Sequence, residues 1–211
     1  MGFKCHHCGE CCRNVSAQIN LSIADLARIC QFLKCELKEI MPKVGIIPFL
    51  SDIDNFDYEL GLNLPCQFRK NSRCTIYPAR PLNCRVFPYF ILNTEIINPD
   101  FFCLKEERNY SEEEKDQHKQ YTKLIGNLIL KEAEITEKFY QDNNLKQRKE
   151  ISLDLPPFFS EKKIIELKIR KALTLVDLDN YNNLTEQLQQ FIKKNNFTSF
   201  EEINQNEPKL L

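Results

Sequence analysis

Only five glycines occur in the 211 residues, and none falls in a Gly-x-Gly-x-x-Gly or phosphate-loop pattern. That argues against a Rossmann or P-loop nucleotide site, because both need glycine where the backbone approaches phosphate. No apolar run has the length of a membrane span. The opening Met1-Gly2-Phe3-Lys4-Cys5 lacks the apolar core of an export signal, and His6 stands where an acylation signal needs Ser or Thr. These absences predict a cytoplasmic chain. A formal charge of -1 gives no general attraction to nucleic acid or acidic lipid. No compact Ser–His–Asp or Cys–His grouping marks a nucleophilic enzyme. Cysteine is missing from everything after Cys103.

What is present is therefore asymmetric. All ten cysteines lie between Cys5 and Cys103, with three of the five glycines and seven of the ten prolines. With 15 Phe and 7 Tyr the chain has ample packing groups and does not need metal merely to fold. In a chain without an export signal, clustered thiols point to metal ligation over a disulfide framework. The expected fold class is mainly α: a loop-rich, cysteine-cluster metal-binding half at residues 1–107, packed with a helical extension at residues 108–211.

Local signals fill in that outline. Ser22 and Asp25 form a capping pair, and Ile23, Leu26, Ala27, Cys30, Leu33 and Leu37 make one apolar stripe that Pro42 should end near Ile40 or Met41. Cys30 belongs to that stripe and is expected to be buried and inert; Cys35 falls on the opposite side and is expected to face solvent. Val44–Leu50 and Phe56–Leu64 read as short extended or loop segments. Phe87–Leu92 and Glu95–Ile97 read as a hairpin around Asn93-Thr94. Ser111 with Glu114 caps a helix carrying Tyr121, Leu124, Ile125, Leu128, Ile129, Ile135 and Phe139, which Asn143-Asn144 should end. His118 is expected on its exposed, charged face. A second helical run follows Ser160 through Ile164, Leu167, Leu173 and Val176, and a third carries Leu184, Leu188, Phe191 and Ile192. These stripes are packing faces, so the second half is expected to shield or dock, and to offer a surface to a protein partner.

Two cysteine blocks carry the chemistry. The first is Cys5-His6-His7-Cys8-Gly9-Glu10-Cys11-Cys12. Thiolates at two-residue gaps can turn toward one metal centre, and Gly9 frees the backbone between them. The spacing is similar to the opening of a ferredoxin-type loop, which weights it toward iron–sulfur over zinc. Adjacent Cys11 and Cys12 diverge and cannot bind identically. His6 and His7 sit in a turn already rich in thiols and are expected to be bystanders. The second block is Cys66, Cys74 and Cys84, followed by Cys103. Asn71-Ser72 marks a turn between Cys66 and Cys74, and Pro78, Pro81 and Pro88 stiffen the chain around Cys84. The wide gaps require a scaffold that brings the two blocks together.

Three ordered stretches resemble a family of zinc- or iron-chelating proteins named for the motif CxxCxxCC. They are Cys5 to Cys12; Pro65-Cys66-Gln67-Phe68 with Cys74-Thr75-Ile76-Tyr77; and Arg80-Pro81-Leu82-Asn83-Cys84-Arg85-Val86-Phe87-Pro88. Ile19-Asn20-Leu21-Ser22, leading into Asp25, resembles the family's first helix. The resemblance implies a ligand set of Cys5, Cys8, Cys11, Cys12, Cys66, Cys74 and Cys84. Cys103 resembles a later family cysteine, although Phe101-Phe102-Cys103-Leu104 departs from its usual Pro/Gly-rich surroundings. Family relatives include a flagellin lysine methylase that carries an iron–sulfur cluster. The expected cofactor is a 4Fe-4S iron–sulfur cluster, with Zn2+ as the alternative. Arg80 and Arg85 are either surface arginines or cofactor-binding residues that balance thiolate charge. The expected function is a cluster-binding protein with a redox, maturation or protein-modification role. The alternatives are a zinc-stabilised interaction module and a methylase-like enzyme with an accessory cysteine domain.

Overall fold

The computed structural model describes residues 9, 12–13, 19–50, 55–62, 65–86, 111–143, 149–150 and 178–207. Among them the chain is mainly helical. The expected hairpin at Phe87–Ile97 and the helical run after Ser160 lie outside these residues.

A small antiparallel sheet forms the base. Strand β3 (Asn55–Leu62) is central and pairs along its length with β2 (Gly45–Leu50), from Gly45 opposite Gly61 to Leu50 opposite Phe56. Two short strands share its other edge: β1 (Ile19–Asn20) at the Leu62 end and β6 (Lys149–Glu150) at the Asn55 end. Both segments expected to be extended are thus strands of one sheet. A separate hairpin joins β4 (Arg69–Lys70) to β5 (Arg73–Cys74). Its two connecting residues, Asn71 and Ser72, have φ of 49° and 63°. Left-handed conformations at both positions suit the right-handed twist of a two-residue hairpin, and Asn tolerates them well.

Helix α1 (Ile23–Leu33) begins at the expected capping box: the Asp25 N–H donates to Ser22 Oγ (3.0 Å), and the Ser22 N–H donates to Asp25 Oδ2 (3.1 Å). It ends earlier than Pro42 suggested. Lys34 turns left-handed, with φ of 53°, and the chain restarts as α2 (Leu37–Ile40) through a second capping box between Glu36 and Glu39. The stripe is continuous in sequence, but a helix C-cap cuts it in two.

A 3-10 turn at Tyr77–Ala79 leads into α3 (Leu82–Val86). Helix α4 (Glu112–Asp142) has the Ser111–Glu114 capping box and closes at Asn143, both as expected. Helix α5 (Leu178–Lys194) and the short α6 (Phe200–Gln205), capped by Ser199 and Glu202, complete the order.

One core draws on both halves of the sequence. Leu21, Ile23, Leu26, Ile29, Leu37, Ile40, Met41, Val44, Leu60 and Leu62 pack with Phe139 and Tyr140 of α4 and with Leu184 and Leu188 of α5. The buried Leu60 N–H donates to the Tyr140 hydroxyl at 2.7 Å, so a strand of the first half is hydrogen-bonded to a helix of the second. A smaller cluster joins Leu82 to Tyr121, Ile125 and Ile203. His118, expected on the exposed face of α4, is buried. Burial disfavours its charged form and lowers its pKa, against the opposing pull of Glu114.

The stripe of α4 is interrupted by two polar residues, Glu132 and Thr136, and both are buried. They face the start of α1. The Ile23 N–H donates to Thr136 Oγ1 (3.1 Å), and the Ser22 hydroxyl donates to Glu132 Oε2 (2.7 Å). Arg28, 1 % exposed, donates to Glu132 through both terminal nitrogens (2.7 and 2.8 Å) and to Asp25 Oδ1 (2.6 Å). Burial alone would lower its pKa, but Asp25 and Glu132 more than offset this, and the pKa is raised. Arg28 also donates to the Thr198 carbonyl (3.3 Å), which brings the α5–α6 connection into the same network.

A candidate metal centre between the two cysteine blocks

The network reaches directly to a motif cysteine. Asp25 Oδ1 accepts the Leu82 N–H at 3.0 Å, capping the helix that carries Cys84. Asn83 Nδ2 donates to the Asn20 carbonyl (2.9 Å), which ties the same helix to β1. Cys84 is therefore held by the first helix and strand, not by the proline-rich loop alone.

Cys66 and Cys74 bracket the β4–β5 hairpin. The Arg69 N–H donates to the Cys66 carbonyl (3.1 Å), and Cys74 faces Arg69 in the ladder. The first block docks on this hairpin through its main chain: the Cys66 N–H donates to the Cys12 carbonyl at 2.8 Å. Gly9 turns with φ of +71°, and the Cys12 N–H closes that turn onto the Gly9 carbonyl at 3.1 Å. The guanidinium of Arg69 lies across Gly9, where a Cβ would stand only 2.2 Å from Nε. Replacing Gly9 by alanine should therefore cost about 1–2 kcal/mol from the left-handed backbone alone, with Arg69 also displaced. A urea titration of G9A checks this; an unchanged midpoint would mean that the Gly9 turn does not matter.

Cys12, Cys66, Cys74 and Cys84 are each partly buried, and no disulfide joins them. They lie close enough to act on one another electrostatically. Burial pushes Cys66 up to about 11, helped by Cys12 and Cys74 and opposed by the N–H groups of Phe68 and Arg69. Burial likewise raises Cys84 well above its ordinary value, with contributions from Cys66, Cys12, Cys74 and Asp25. Four of the eight expected ligands, from both blocks, thus lie within electrostatic reach of one another. Cys5, Cys8, Cys11 and Cys103, with His6 and His7, lie outside the described residues. Among the described residues, no three His, Cys, Asp or Glu side chains stand close enough to hold a metal ion. The donor chemistry, soft sulfur with a nearby cation, fits iron or zinc.

Arg80 and Arg85 are not surface residues. Both are buried and clamp the Cys84 segment to the end of α6. Arg80 pairs with Glu207, donates to the Tyr77 carbonyl (2.9 Å) and lies 4.0 Å from the centroid of the Tyr77 ring. Arg85 donates to Asn204 Oδ1 (2.8 Å), Glu207 Oε2 (3.0 Å) and the Arg80 carbonyl (3.1 Å), and to the carbonyl of Pro78. Their described hydrogen bonds go to oxygen. Burial lowers the pKa of Arg85, and neighbouring Arg80 adds to this; the Arg80 pKa is raised, because Glu207 and Tyr77 overcome its burial. Sequence reasoning missed Arg69. Its Nε is buried and has no hydrogen-bond partner among the described residues, which puts a cation with a spare donor beside the first block.

A sequence comparison agrees with this arrangement. Residues 4–104 match the CxxCxxCC family, described as "Putative zinc- or iron-chelating domain". That match covers β1 to β5, α1 to α3, both cysteine blocks and Cys103. An uncharacterised protein of Methanocaldococcus jannaschii is 29% identical over 91 residues, covering 43% of this chain and 47% of the relative. The chain thus spans less than half the length of that relative. No solved structure matches. No helix among the described residues is long and apolar enough to cross a membrane.

Proposed function

We propose that the CxxCxxCC segment holds one iron–sulfur centre, a 4Fe-4S cluster, shared between the two cysteine blocks. The observation that carries this reading is the Cys66 N–H to Cys12 carbonyl bond at 2.8 Å, which seats the first block on the hairpin that carries the second. Cys12, Cys66, Cys74 and Cys84 are proposed ligands, drawn from a set that includes Cys5, Cys8, Cys11 and Cys103. Such a cluster supplies one-electron chemistry, or a structural clasp, when bound. Arg69 offsets thiolate charge from one side. Arg80 and Arg85 serve the centre indirectly, by locking the Cys84 segment to Glu207.

The role follows as redox, maturation or protein modification, acting in a reducing compartment such as the cytoplasm, where thiols persist as ligands. The partner is a protein that docks on the C-terminal helices. Protein purified without oxygen should be brown and carry iron and acid-labile sulfide in equal amounts. Colourless protein with one or two zinc ions per chain, and no sulfide, would replace the cluster by a zinc-stabilised interaction module.

A further inference from the structure

Cys30 and Cys35 were expected on opposite sides of one helix, the first inert and the second solvated. The early end of α1 brings them together. The Lys34 N–H donates to the Gln31 carbonyl (3.3 Å) and the Cys35 N–H to the Cys30 carbonyl (3.1 Å). With Lys34 left-handed at φ of 53°, this is a Schellman C-cap. That motif places the side chains of the third-last and second-following positions in contact, and apolar residues ordinarily fill both. Here both are thiols.

We propose that Cys30 and Cys35 form a dithiol–disulfide pair, distinct from the metal-ligating cysteines, that closes on reaction with a small disulfide. Standard bond lengths and the backbone hydrogen bond cap the Cα separation at roughly 7 Å. A disulfide spans about 4.4–6.8 Å between Cα atoms, so closure needs little backbone movement. Both side chains pack against the same core cluster. Both are partly exposed, so a small reagent has access. The pair sits at the other end of α1 from Asp25, the residue whose charge reaches Cys84.

The chemistry balances with the small disulfide as oxidant. Cys35 loses its proton, and its sulfur attacks the reagent, expelling one small thiolate and leaving a mixed disulfide. Cys30 then loses its proton and attacks the Cys35 sulfur, expelling the second small thiolate. One S–S bond forms in the protein and one breaks in the reagent, which leaves as two thiols. Cys35 is the better first attacker. Burial, Cys35 and Glu39 together hold Cys30 up to about 12, whereas at Cys35 burial and Glu39 are partly countered by Cys30 and by Lys43.

The test uses glutathione disulfide and the full chain. After exposure, free thiols are blocked with N-ethylmaleimide and the protein is digested with trypsin. Cleavage at Arg28, Lys34 and Lys38 separates Cys30 from Cys35 unless sulfur joins them. The expected product is peptide 29–34 linked to peptide 35–38, as the main fate of both cysteines and lost on reduction. The Cys35→Ser chain should instead give Cys30 blocked by maleimide or capped by glutathione. Three outcomes in the unsubstituted chain overturn the proposal: both cysteines still free, each capped separately by glutathione, or either linked mainly to Cys66 or Cys74.

Discussion

Replacing Glu132 by alanine should cost about 3–5 kcal/mol of folding stability, because it removes one carboxylate of a buried charge network and leaves several buried donors without an acceptor. Few domains have more than about 5–15 kcal/mol in total, so the variant should sit near its unfolding transition at room temperature. The reason is local. Arg28 would keep Asp25 at 2.6 Å but lose both bonds to the Glu132 carboxylate, and the Ser22 hydroxyl would lose its acceptor. Glu132→Gln should be milder, since an amide still accepts one of those donors. Urea unfolding followed by circular dichroism measures both. A loss below about 1 kcal/mol for the alanine variant would place the network in the class of solvated ion pairs and contradict its structural role.

Ending the chain after Lys105 should abolish cooperative folding. The fragment keeps the whole CxxCxxCC segment but loses Phe139, Tyr140, Leu184 and Leu188 from the main core, and Tyr121, Ile125 and Ile203 from the smaller one. Full burial of one large apolar side chain contributes about 1.5–3 kcal/mol, so seven such losses exceed what a domain of this size can spare. The Glu207 carboxylate that holds Arg80 and Arg85 would go as well. The expected thermal scan of the fragment has no sigmoidal transition. A transition at the midpoint of the whole chain would show that the helical extension is an appendage.

Much of this fold can be read from the sequence because its signals are local. Capping boxes at Ser22 and Ser111, the Asn71-Ser72 turn and the long stripe of α4 each depend on residues within a few positions. The early end of α1 was hidden. Lys34 is an ordinary helix former, and nothing local marks it as left-handed; the restart at Glu36 is visible only once the C-cap is placed. The buried network has a signal that periodicity counting passes over. Glu132 and Thr136 occupy apolar positions of the α4 stripe, and Asp25 and Arg28 lie three apart on α1. A charged residue inside a packing face implies a buried partner on another element.

The candidate centre divides the same way. The motif supplied the cysteines and the expectation that both blocks meet, but not the device that joins them. That device is a main-chain bond from Cys66 to Cys12, together with Arg69 over Gly9, and backbone contacts leave no mark in side-chain identity. Arg80 and Arg85 were attractive as counter-charges because they flank Cys84. The acidic residue that draws them inward, Glu207, is more than a hundred residues away in the chain.

The central claim is that one metal centre needs both cysteine blocks. The direct measurement is iron, zinc and acid-labile sulfide in three proteins purified without oxygen: the original chain, the Cys11→Ser/Cys12→Ser double variant and Cys84→Ser. Replacing both adjacent cysteines prevents one from standing in for the other. The account predicts iron and sulfide in the original chain and loss of most of both from each variant, with circular dichroism still reporting α4. Full iron and sulfide in either folded variant, or loss of one zinc ion from each with the other retained, would contradict a single shared cluster.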